Sequence, residues 1–77
     1  MTFGEKVKFA RLQLFLSQEK FAKELNVSFA TINRWERGLC EPNYEGQKAF
    51  HDFCKKNHIK FEEYILYMTI YVMFIVL

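Results

Sequence analysis

Six residues between Ser28 and Gly38 have the side-chain types that recognise base edges: Phe29, Ala30, Thr31, Asn33, Arg34 and Arg37. On a helix of about 3.6 residues per turn, positions 29, 30, 33, 34 and 37 make one continuous outward strip, with Thr31 at its margin. Arginine pairs with N7 and O6 of guanine, asparagine with N6 and N7 of adenine, and small apolar groups touch the thymine methyl. The strip carries no acid. The chemistry it points to is hydrogen-bonded recognition, with no bond made or broken. On an isolated helix the same pattern describes an ordinary solvated face, so its meaning depends on what precedes it.

What precedes it is a second short helix and a tight joint. Ser17 is an N-cap for a helix over Gln18 to Leu25, in which Phe21, Ala22 and Leu25 form one apolar stripe. Ala22 is small enough for two crossing helices to approach closely. Asn26 tolerates the left-handed conformation that ends a helix. Val27 plugs the turn, and Ser28 caps the next helix, whose inner face is Ile32 and Trp35 and whose stop is Gly38. Two helices joined in this way are a helix-turn-helix, with the second helix free to enter a major groove.

The run LSQEKFAKELNVSFATINRWERG closely resembles the Cro/repressor type of helix-turn-helix, also called the xenobiotic-response-element family, and the likeness extends over about Phe3 to Leu66. It implies an all-α, five-helix, lambda-repressor-like DNA-binding domain with an apolar C-terminal extension. It also implies roles. Phe29, Ala30, Thr31, Asn33 and Arg34 would face bases. Gln18, at the positive end of its helix, would bond a phosphate, with Ser28, Arg37 and Asn43 holding the backbone as well. Arg11 and Glu36 would form a structural ion pair tying the first helix to the end of the recognition helix. Three departures stand out: Phe15 and Asn26 occupy positions where the family usually has glycine, and Phe29 stands where many relatives are polar.

The rest of the chain suits one small helical domain. Its 77 residues are 51% hydrophobic and 18% aromatic, enough to build a core. Thr2 and Glu5 fit a capping box opening a first helix through about Leu14, with Phe3, Val7, Ala10 and Leu14 inward. Asn43 opens a helix from about Tyr44 to Asn57 with Ala49, Phe50, Phe53 and Cys54 inward, and a fifth helix is expected from near Phe61. The net charge of +2 is uneven: Met1 to Cys40 holds seven basic and four acidic residues, Glu41 to Glu63 four and five. The motif half is the basic half, which implies a few phosphate contacts and binding that weakens with salt. The amino terminus lacks the long apolar region of a secretory signal, and the expected compartment is the cytoplasm, at the nucleoid.

Neither metal nor catalysis has good support in the sequence. His51, Cys54 and His58 share a helical face and Cys40 is a conceivable fourth zinc ligand, but the paired-cysteine spacing of structural zinc domains is absent. Cys54 reads as core, the histidines as solvated, and both thiols as reduced. Glu62 and Glu63 are adjacent and so lie on different faces of a helix, a poor acid/base pair. The expectation is no cofactor, no metal and no enzyme.

From Tyr64 to Leu77 the chain (YILYMTIYVMFIVL) has no charge, glycine or proline. As a helix it would reach about 21 Å, short of the roughly 30 Å hydrocarbon core, so it should not span a membrane alone. Its β-branched and aromatic residues lean toward a strand after a helical beginning, while Tyr64, Tyr67, Tyr71 and Phe74 would make an aromatic stripe on a helix. A segment this apolar must be covered, and a second copy of itself is the favoured cover over folding onto its own domain against Phe9 or Phe15, a peripheral membrane contact, or an appended segment without selected function. Residues 1–63 are thus expected to form the DNA-binding domain and residues 64–77 a dimerisation element. Function follows as a repressor that binds a palindromic operator as a homodimer, the alternative being an antitoxin-like module whose main partner is another protein.

Overall fold

The computed structural model describes residues 1–61 and 70–76. Four helices fill the first stretch: α1 (Phe3–Gln13), α2 (Gln18–Leu25), α3 (Phe29–Glu36) and α4 (Tyr44–Lys56). Residues 70–76 are also helical, and no strand occurs among the described residues. The all-α expectation holds. The lean toward a strand does not, at least over residues 70–76, where local backbone pairing satisfies the amides without a partner strand. Phe61 is not helical, and the start expected there for a fifth helix lies otherwise outside the described residues.

Each of the four helices opens on a polar cap. The Thr2 hydroxyl accepts from the Glu5 amide while the Glu5 carboxylate accepts from the Thr2 amide, and Ser17, Ser28 and Asn43 accept from the amides of Lys20, Thr31 and Gly46. They also share one way of stopping. Phe15, Asn26, Gly38 and His58 all have positive φ, between 55° and 73°. The next residue in each case (Leu16, Val27, Leu39, Ile59) returns its N–H to the carbonyl five positions back, at 2.9–3.1 Å. Leu16, Val27 and Ile59 then pack against the core. Only Gly38 does this without a Cβ in the way.

The core is built where these helices meet, with α3 packed on both α1 and α2, and α2 on α4. Val7, Phe21 and Ile32 are completely buried, and Phe50 and Phe53 of α4 close over them. Ring pairs run through the centre: Phe21 meets Phe53 edge-on at 5.0 Å, and Phe3 meets both Trp35 and Phe50 at 5.3 Å. Phe61 leans on Phe9 and Phe50, which fixes the chain after α4 against the outside of α1.

Trp35 sits between two glycines. A Cβ at Gly4 would collide with the Trp35 carbonyl oxygen, and one at Gly46 would stand 2.8 Å from the indole Cζ2. The absence of side chains at these points lets α1 and α4 close on the end of α3. One expected core residue is corrected: α1 ends at Gln13, and Leu14, the cap residue, is 36% exposed because the chain is already turning into the left-handed residue that follows.

Among the described residues no helix is long and apolar enough to cross a membrane. The helical residues 70–76 are apolar and exposed all round, from Val72 at 52% to Phe74 at 84%.

Candidate nucleic-acid interface

The turn between α2 and α3 has three residues, Asn26, Val27 and Ser28. Asn26 supplies the left-handed corner (φ 57°), Val27 plugs it from below, and Ser28 starts α3 by capping the Thr31 amide at 3.1 Å. Ile32 and Trp35 anchor α3 inward. The opposite face is therefore presented outward: Phe29 is half exposed, Ala30, Arg34 and Arg37 are exposed, and no acid lies in the first turn.

The other named residues are more constrained. Thr31 is half-buried, and its hydroxyl lies 2.9 Å from that of Ser28, which occupies both groups locally. Asn43 is exposed and spends its carbonyl oxygen on capping α4, 2.8 Å from the Gly46 amide. Arg37 is the C-cap of α3.

Arg11 and Glu36 form a bidentate pair, Nε to Oε2 at 2.7 Å and Nη2 to Oε1 at 3.0 Å, with side chains only 13% and 6% exposed. The Arg11 Nη1 also donates to the Leu16 carbonyl at 3.0 Å, clamping the turn that contains Phe15. The pair does not stop there. The Gln18 Nε2 donates to Glu36 Oε1 at 3.1 Å, and the Asn33 Nδ2 donates to Gln18 Oε1 at 3.4 Å. Gln18 and Asn33, assigned separate roles by the sequence reading, are thus joined to each other and to the ion pair. Helical periodicity could not reveal this, because the four residues come from three helices.

His51 and His58 are exposed, Cys40 is exposed and Cys54 is buried. Among the described residues no three His, Cys, Asp or Glu side chains gather where they could hold a metal ion. Burial raises the Cys54 thiol from its ordinary 9.0 to about 11.

A capped three-residue turn, a buried inner face and an outward helix carrying arginine and asparagine define a DNA-binding helix-turn-helix. The family pattern described as helix-turn-helix matches residues 7–45, and the chain belongs to that family of DNA-binding proteins. It is 38% identical over 42 residues, 54% of its length, to the HTH-type transcriptional regulator DicA of Escherichia coli (strain K12). It is 40% identical over 53 residues, 69% of its length, to the HTH-type transcriptional activator BcrR of Enterococcus faecalis. The matched parts are 31% of the first relative and 26% of the second, so the chain corresponds to under a third of either. No solved structure matches the chain significantly.

Proposed function

We propose that the chain is a sequence-specific transcription regulator of the Cro/repressor type, acting in the cytoplasm at the nucleoid, that represses by covering a promoter. The observation that carries this is the outward face of α3, acid-free in its first turn, with Arg34 exposed at its centre and Ile32 and Trp35 holding the helix from below. In this reading Phe29, Ala30, Thr31, Asn33 and Arg34 meet base edges in the major groove, and Gln18, Ser28, Arg37 and Asn43 hold the phosphates. Selection of bound duplexes from a random pool tests it: an enriched motif is expected, and a pool that stays random overturns it. A reporter driven from the enriched site then gives the sign of regulation. Activation is the second reading, favoured by the likeness to BcrR, a transcriptional activator.

The functional unit in this proposal is a homodimer made by residues 64–77, with residues 1–63 as the DNA-binding domain. Support comes from the helical residues 70–76, whose exposed apolar side chains need a cover. A second copy provides one and places two recognition helices about 34 Å apart, one helical turn of DNA. Sedimentation of the full chain should give a dimer that Phe74→Glu dissociates. A monomer, or partition into lipid vesicles instead, would remove the second copy as the cover. An antitoxin-like module that binds another protein through the same residues would show as a stable heteromeric complex.

A further inference from the structure

We propose that Glu36, through Gln18, orients the Asn33 amide so that Asn33 selects a base carrying an exocyclic amino group, adenine or cytosine, over one carrying a keto oxygen. This rests on the DNA-reading face proposed above and specifies what one of its positions recognises. An amide side chain has two ends of nearly equal shape, one a donor and one an acceptor, so packing alone does not choose between its two orientations. Charge does. The Glu36 carboxylate, almost fully enclosed and held by Arg11 through Nε at 2.7 Å and Nη2 at 3.0 Å, can only accept. Gln18 must therefore turn Nε2 toward it, as it does at 3.1 Å. The opposite orientation would set one oxygen against another in a poorly solvated site, at the cost of an unmade hydrogen bond.

The choice propagates. With Nε2 committed, Gln18 offers only Oε1 to α3, and Asn33 meets it with Nδ2 at 3.4 Å. The Asn33 Oδ1 is left as the acceptor without a partner among the described residues. Presented to a base, that acceptor pairs with N6–H of adenine or N4–H of cytosine, and meets O6 of guanine or O4 of thymine without a proton between them. The second Nδ2 proton remains available for N7 of adenine. Gln18 and Glu36 are positioning residues in this scheme, since neither needs to touch a base for the selection to exist.

The test compares full-length wild type, Asn33→Ala and Gln18→Met in selection from a random duplex pool. Methionine keeps the length and helix preference of Gln18, removes both amide ends and leaves the Arg11–Glu36 pair in place. Asn33→Ala locates the base pair read by Asn33. Every base pair holds one amino base and one keto base, so the ratio that reads the choice is the affinity for the selected duplex over that for a duplex whose amino base at this pair has lost its exocyclic amino group (purine for adenine, 2-pyrimidinone for cytosine). It should be about tenfold for wild type and about twofold or less for Gln18→Met. If Gln18→Met weakens all sequences alike and leaves the ratio intact, Gln18 is a phosphate contact only and the relay is overturned. A larger wild-type loss on removing the keto oxygen of that pair (2-aminopurine for guanine, 5-methyl-2-pyrimidinone for thymine) also overturns it. A wild-type pool with no enrichment defeats the DNA-reading assignment itself, which is a different result. The free protein gives a second readout in the side-chain amide resonances of the full chain. Those of Asn33 should shift in both Gln18→Met and Glu36→Gln, each shown by a cooperative melt to be folded, and unmoved resonances would overturn the orientation.

Discussion

The Gln18 amide donates to the Glu36 carboxylate at 3.1 Å, so the first residue of α2 and Arg11 of α1 share one acceptor, Oε1 of the last residue of α3. Three helices thus converge on a carboxylate that is almost out of water. Arg11→Ala leaves Glu36 enclosed with only Gln18 as a donor. Such a removal should cost about 3 kcal/mol, since an unpaired buried charge is worse than no pair at all. Urea denaturation measures it, and a loss under about 1 kcal/mol would show that Glu36 rehydrates freely.

Phe15 is 94% exposed at φ 56°, a conformation that costs a residue with a Cβ about 1–2 kcal/mol. Phe15→Gly removes that cost and gives some of it back as unfolded-chain entropy. The net gain should be about 0.5–1 kcal/mol, a rise in Tm of a few degrees by calorimetry. Asn26→Gly should gain less, because asparagine already tolerates φ 57°.

Gly4→Ala should destabilise by about 2–3 kcal/mol, because the new methyl meets the Trp35 backbone oxygen, which can move only if α1 lifts off α3. Gly46→Ala meets the edge of the indole ring, which has more freedom to shift, and should cost less. Thermal melts of the two variants rank them, and the reverse order would place the tight contact at α4.

Arg34→Ala should cost about 1–3 kcal/mol on the selected site and relax preference at one base pair, while Arg37→Ala should weaken all sequences alike and lower the salt dependence by about one counterion. Equal losses on selected and random DNA for Arg34→Ala would take it out of base readout. Titrations at several salt concentrations separate the two.

The two thiols should behave differently. Cys40 is exposed and should react with an alkylating reagent at once, whereas Cys54 is buried and should react only as the chain unfolds. The same burial couples Cys54 to pH. The folded state holds the thiol proton up to about 11 against 9.0 when unfolded, so its contribution is fully present below pH 9.0 and is lost as pH rises toward 11. Denaturation midpoints across that range should fall more steeply for wild type than for Cys54→Ala, and parallel curves would mean that the thiol is not protected.

The sequence by itself determined the elements. Cap residues Thr2, Ser17, Ser28 and Asn43, the stripe Phe21, Ala22 and Leu25, and the pair Ile32 and Trp35 are local or periodic signals, and α2 has the bounds they predict. Only the tertiary structure decided the rest. Phe15 and His58 end helices as left-handed residues with no glycine to announce it, because the hydrophobic residue after each finds a place against the core. Gly4 and Gly46 matter through the space Trp35 needs, and Gln18 meets Asn33 only because α2 and α3 cross. Local backbone preference acts over a few neighbouring residues and can be read along the chain. Contacts between helices depend on how distant segments approach, and no short-range pattern encodes that distance.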